Sequence, residues 1–142
     1  MSQESFKPFE TFDHTADVGI IARGRTRREL FANAARGMFS IITDISKVSG
    51  AIQLPIRIEA EGAEELLISW LRELLYLYST RYLVCTDFEF SDLSDTGLDC
   101  DAGSGPLEKP DSARTEIKAV TYHGLEVKHE NDLWTAKVIF DI

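Results

Sequence analysis

Residues 51–78 read AIQLPIRIEAEGAEELLISWLRELLYLY, and the spacing of their apolar side chains changes partway along. At first Ile52, Leu54, Ile56, Ile58 and Ala60 alternate with Gln53, Pro55, Arg57 and Glu59, the period of a strand with one buried face. Pro55 has no N–H to offer a ladder, which predicts an edge strand or a bulge at that point. Beyond Glu64 and Glu65, whose charge suits the start of a helix, the apolar residues fall at Leu66, Leu67, Trp70, Leu71, Leu74, Leu75, Leu77 and Tyr78. That is helical spacing with a wide apolar face, as expected of the central helix of a core.

Upstream, Thr26 opens T-R-R-E with Glu29 placed to complete a capping box, and Leu30, Phe31, Ala34, Ala35, Met38, Phe39, Ile41 and Ile42 continue at helical spacing. Before that helix, residues 6–12 and 18–24 have strand character, the second with Val18, Ile20 and Ala22 on alternate positions. From residue 83 onward LVCTDFEF, GLDCDA, TEIKAVTY, GLEVKHE and LWTAKVIFD all favour strand, with Asn131 and Asp132 marking a hairpin turn. The Gly-, Pro- and charge-rich DAGSGPLEKPDS at 101–112 is expected to be a mobile loop. Two helices separated by strands, then an antiparallel-looking tail, predict an α+β fold. It would be a single compact domain over 1–142, largely antiparallel sheet with two long helices packed on one face.

With 142 residues and 44% hydrophobic content, the chain can fill one core. No apolar run approaches the roughly 18–20 residues that span a bilayer, and MSQESFKPFE lacks the basic and apolar segments of a signal peptide. No membrane association and a cytoplasmic location are therefore expected. A formal charge of −9 repels phosphates, which argues against tight direct nucleic-acid binding. RGRTRR at 23–28 is the local exception, either a solvated loop or a contact for an acidic partner or phosphate. Cys85 and Cys100 are too far apart for a C-x-x-C motif and are expected to sit as small hydrophobes.

Candidate chemistry concentrates in TFDHTADVG at 11–19 and in the terminal FDI. Asp13 and Asp17 are either turn residues, satisfying local backbone groups, or hard oxygen donors. Asp141 and the α-carboxylate of Ile142 would join them if the last strand ended beside this knot, and a hard cation would then offset the crowded negative charge. Neither an EF-hand loop, H-E-x-x-H, G-x-S-x-G nor a phosphate-binding glycine loop occurs. His14 and His123 have no evident nucleophile to serve, so no catalytic residue is assigned. His123 reads as a strand-end histidine or a functional contact, and Lys118 as an exposed strand lysine.

Taken in order, DHTADVGI, LFANAARGMF, ELLISWLRELLYLY, EIKAVTYHGLEV and the terminal FDI resemble the archease family over almost the whole chain. The resemblance implies a compact α+β domain that is not an enzyme but a protein cofactor of the tRNA-splicing RNA ligase. It would promote guanylylation and multiple turnover of that ligase and so act in tRNA processing. It further implies a divalent metal, calcium by family habit, on Asp17, Asp141 and the carboxylate of Ile142, with Asp13 as a possible further neighbour. Lys118 and His123 match the second motif and are implied partner contacts near the same rim. Where family members often carry a histidine before the K-A-V-T-Y-H strand, this chain has Asp111. The rival readings are a general chaperone or modulator of tRNA-modifying enzymes, and a metal-dependent phosphoesterase using the same carboxylates.

Overall fold

In the structure, a computed structural model, the described residues are 6–14, 17–107 and 114–142. Their order is β1 (Phe9–His14), β2 (Asp17–Gly24), α1 (Arg27–Ile42), a 3-10 turn (Ile45–Lys47), β3 (Ile52–Glu59), α2 (Ala63–Arg81), β4 (Leu83–Leu93), β5 (Gly97–Pro106), β6 (Ala119–Glu130) and β7 (Leu133–Asp141). The fold is α+β and its paired strands are antiparallel, as the alternation implied. They form two sheets instead of one: four strands in the order β1-β2-β7-β6 and three in the order β3-β5-β4. Helix α1 packs on β1, β2 and β7 of the first sheet and on β4 of the second, while α2 packs on β6, β4 and β3. Both helices thus join the sheets around one apolar cluster, centred on Ile20, Leu30, Phe39, Trp70, Leu71 and Phe140.

Local chemistry explains most boundaries. The Thr26 hydroxyl accepts the Glu29 N–H at 3.1 Å, and Glu29 Oε1 accepts from the Arg25 N–H at 3.3 Å, so the start of α1 is capped from both sides. Asn131 and Asp132 hold φ of 53° and 60°, the left-handed pair that joins β6 to β7 in a two-residue hairpin. Pro55 lies on β3, an edge strand, where a missing N–H costs no ladder bond.

Two expectations change. Strand β5 runs through residues 101–106, the first half of the expected loop, whereas 108–112 lie outside the described residues. Its glycines serve close packing: a Cβ on Gly105 would lie 2.0 Å from the Ser49 carbonyl oxygen, and one on Gly103 2.9 Å from that of Gly50. Only AVTY, the second half of TEIKAVTY, is strand, since residues 115–118 precede β6; AVTY and GLEVKHE share that one strand, broken by a bulge between Thr121 and Glu126 in which Gly124 takes φ +65°.

The helices also cover sheet edges. Arg28 and Arg36 of α1 donate to the carbonyls of Phe90 and Thr86 on edge strand β4, the second at 3.0 Å. From α2, Arg72 donates through Nε and Nη2 to the Val120 carbonyl of edge strand β6, at 3.3 and 3.1 Å. Such donors occupy acceptors that another strand would otherwise seek. Arg36→Leu keeps the aliphatic volume but loses the bond to Thr86, and a loss of about 1–2 kcal/mol is expected. Urea unfolding checks this, and an unchanged midpoint would show the edge bond to be energetically idle.

Candidate metal site at one end of the four-stranded sheet

Strands β2 and β7 are the central pair of the four-stranded sheet, and their register sets Asp17 directly opposite Asp141. The same row continues to His14 on β1 and Ala119 on β6. Opposed residues in an antiparallel pair hold their Cβ atoms about 4.5–5.5 Å apart, and like charges so placed repel. Val18, Ile20 and Ala22 are buried on the helix side, so alternation turns Asp17 and Asp141 to the face that the helices leave open. Oδ1 of Asp17 is shielded from solvent, whereas Asp141 is exposed and is followed by a 41% exposed Ile142. The Lys118 N–H donates to the Asp141 carbonyl at 2.7 Å and pins this end of β7 to the chain entering β6.

Two facing carboxylates are hard, anionic donors, which suit Ca²⁺ or Mg²⁺ better than a soft-ligand metal. Among the described residues no group of three or more His, Cys, Asp and Glu side chains converges around a common point. A cation held by Asp17 and Asp141 would therefore complete its shell from backbone, terminal-carboxylate or water oxygens.

The other candidate residues fall at different distances from this row. Asp13 is exposed and pairs with Val18, so alternation puts it on the sheet face opposite Asp17. Lys118 is exposed immediately beside the row. His123 is exposed in the β6 bulge, where its N–H donates to Thr121 Oγ1 at 3.2 Å. Because five steps of β6 from Thr121 to Glu126 face only two of β7 from Ile139 to Lys137, the bulge keeps His123 nearer to the row than an extended strand would. Thr15 and Ala16 of the polar knot lie outside the described residues.

The structure also absorbs features that were open in the sequence. Arg23 pairs with Glu10 at 3.0 Å, Arg27 pairs with Asp95 and lies 4.9 Å from the Trp134 ring centroid, and Arg28 donates to Phe90. Arg25 sits over the Phe6 ring, so each arginine of RGRTRR has an intramolecular contact. Burial pushes the thiols of Cys85 and Cys100 up to about 12, which leaves both protonated near neutrality and unsuited to nucleophilic chemistry. An arrangement that the sequence pattern did not signal is Tyr122, half exposed in the β6 bulge, with the Arg72 guanidinium 4.9 Å from its ring centroid. No helix among the described residues is long and apolar enough to cross a membrane.

Comparison with known proteins agrees with this architecture. The model of the archease protein family (MTH1598/TM1083) matches residues 9–142. The chain is 40% identical over 141 residues to the protein archease of Methanosarcina barkeri, covering 96% of this chain and 97% of that one. It is 38% identical over 139 residues to the protein archease of Methanothermobacter thermautotrophicus, with 96% and 99% covered. The solution structure of Methanobacterium thermoautotrophicum protein 1598 superposes with a TM-score of 0.81 at 35% identity, covering 96% of this chain and all (100%) of that one. A Thermotoga maritima crystal structure described as an archease, possible chaperone, shares the fold at a TM-score of 0.67 and 20% identity, with 99% and 100% covered. The chain belongs to the archease family.

Proposed function

We propose that this chain is a non-catalytic activator of the tRNA-splicing RNA ligase, promoting its guanylylation and multiple turnover through an acidic, cation-holding tip. The observation that carries this reading is the opposition of Asp17 and Asp141 across the central strand pair. Repulsion between them gives the chain a reason to take up a divalent cation, calcium in the family's pattern, with the Ile142 carboxylate as a further donor. When bound, the ion supplies charge compensation and a fixed point. The chain's own part is to present a rigid tip at the end of a four-stranded sheet, flanked by Lys118, with His123 and Tyr122 further along edge strand β6.

A rigid tip loses little entropy on docking, and it biases the ligase only if it binds the guanylylation-competent state more tightly than the resting one. Nothing in this action requires a nucleophile or general base from the chain, and the protonated thiols fit that role. The same reading places the protein in the cytoplasm, where its partner would be a protein and neither a membrane nor free RNA.

The test is a guanylylation assay of the RNA ligase with GTP, with and without the purified chain. A several-fold faster formation of the guanylylated ligase, and turnover beyond one RNA joined per enzyme, are expected. An unchanged rate overturns the proposal. A chaperone, the description attached to the Thermotoga maritima protein, would instead raise the yield of active ligase on refolding and leave the rate of folded ligase alone.

A further inference from the structure

Among the described residues the helices cover one face of the four-stranded sheet, yet two residues on the other face are buried: Gly19, and Ile139 at 2% exposure. They are cross-strand partners, one pleat from the Asp17–Asp141 row. What covers Gly19 is Phe12, its partner on β1. A Cβ on Gly19 would fall 2.2 Å from Phe12 Cζ and 2.6 and 2.8 Å from Cε1 and Cε2, so the ring lies across the glycine. Ile139 is closed from the other side by the β6 bulge, where a Cβ on Gly124 would sit 3.3 Å from Ile139 Cδ1. The ammonium of Lys137, 5.7 Å from the Phe12 centroid, borders the ring.

Phe12, Gly19 and Ile139 therefore make an apolar shelf about 7 Å, two residues of strand rise, from the carboxylate pair on the same face. We propose that Phe12, seated on Gly19, is a positioning residue of the cation-holding tip: the shelf walls one flank of the Asp17–Asp141 pair against water and fixes the β1–β2 seam that carries Asp17. Charges beside a low-dielectric wall are screened less, so the pair attracts a cation more strongly than two solvated carboxylates would. A seam locked by ring-on-glycine packing also leaves less to be ordered when the ion arrives. This inference rests on the cation-holding role proposed above.

Europium(III) serves as the probe, because its luminescence lifetimes in H₂O and D₂O report how many waters remain on the bound ion. Wild type, Phe12→Ala, Phe12→Leu and Gly19→Ala are compared, with melting curves in chelator establishing which are folded. Phe12→Ala is expected to bind about tenfold more weakly and to leave more water on the ion. Gly19→Ala should reproduce both effects, since its methyl evicts the ring, and Phe12→Leu, which retains apolar cover, should fall between. A loss of stability alone would not add water to the ion. Equal affinity and equal water count in folded Phe12→Ala, or in Phe12→Leu should the alanine variant fail to fold, overturn the shelf while leaving the tip standing. Failure of wild type to bind europium overturns the tip and the shelf with it.

Discussion

Replacing either Asp17 or Asp141 by alanine is expected to abolish stimulation of the RNA ligase while leaving the metal-free fold intact. In chelator each variant should melt at or slightly above wild type, because the substitution removes one member of a like-charged cross-strand pair, a term of about 0.2–1 kcal/mol. With calcium the order reverses. Wild type gains RT ln(1 + [L]/Kd), about 2.7 kcal/mol at a hundredfold excess over Kd, and the variants lose most of that increment. An extension appended after Ile142, which turns the carboxylate into an amide, should weaken the increment without erasing it. Differential scanning calorimetry in calcium and in chelator, run beside the guanylylation assay, reads both effects. Variants that keep the full calcium increment would remove Asp17 and Asp141 from the site, and variants that keep stimulation would separate the tip from the activity.

Trp70→Ala should produce the largest loss of stability, about 3–5 kcal/mol, from a domain whose total is on the order of 5–15 kcal/mol. Trp70 is 0% exposed; its ring meets Phe88 and Phe90 at centroid distances of 5.5 and 5.3 Å. Its Nε1 donates to the Phe31 carbonyl at 3.1 Å, tying α2 to α1. Truncation opens a cavity at the junction of both helices and β4, where two backbones and two aromatic rings limit collapse. Trp70→Phe retains most of the volume and should cost about half as much or less. The urea midpoint should fall with little change in slope; a shift worth under about 1 kcal/mol would mean the junction repacks freely.

What the sequence revealed was local. The Thr26 cap, the Asn131–Asp132 turn, the edge position of Pro55 and the faces of both long helices each follow from spacing or backbone preference within a few residues. The site was a different matter, because alternation says which face a residue takes and not which strand will lie beside it. Nothing in the spacing pairs β2 with β7: the carboxylates' chemistry raised a meeting of Asp17 and Asp141 only as a condition, the family resemblance implied it, and the register sets the two residues opposite each other. Asp13 shows the same gap in reverse. Four positions from Asp17, it would share its face on a single strand, but the two residues lie on opposite arms of the β1–β2 hairpin, and the reversal sets Asp13 against Val18. At 101–106 the composition misled for a physical reason, since glycine suits a strand crossed by a neighbouring backbone as well as it suits a loop.

The strand order β1-β2-β7-β6 carries a consequence for biosynthesis. Strand β7, at 133–141, fills the middle of its sheet, so on the ribosome β2 and β6 each wait with an inward edge unpaired until those residues leave the exit tunnel. The nascent domain cannot complete this sheet from its N-terminal end. At about 5–20 residues per second, Val18 and Ile20 lack their β7 neighbours for on the order of ten seconds of synthesis, and Val120 for roughly one to a few seconds. Closure of the domain is then a single late event, in which the same strand that seals the core delivers Asp141 to Asp17.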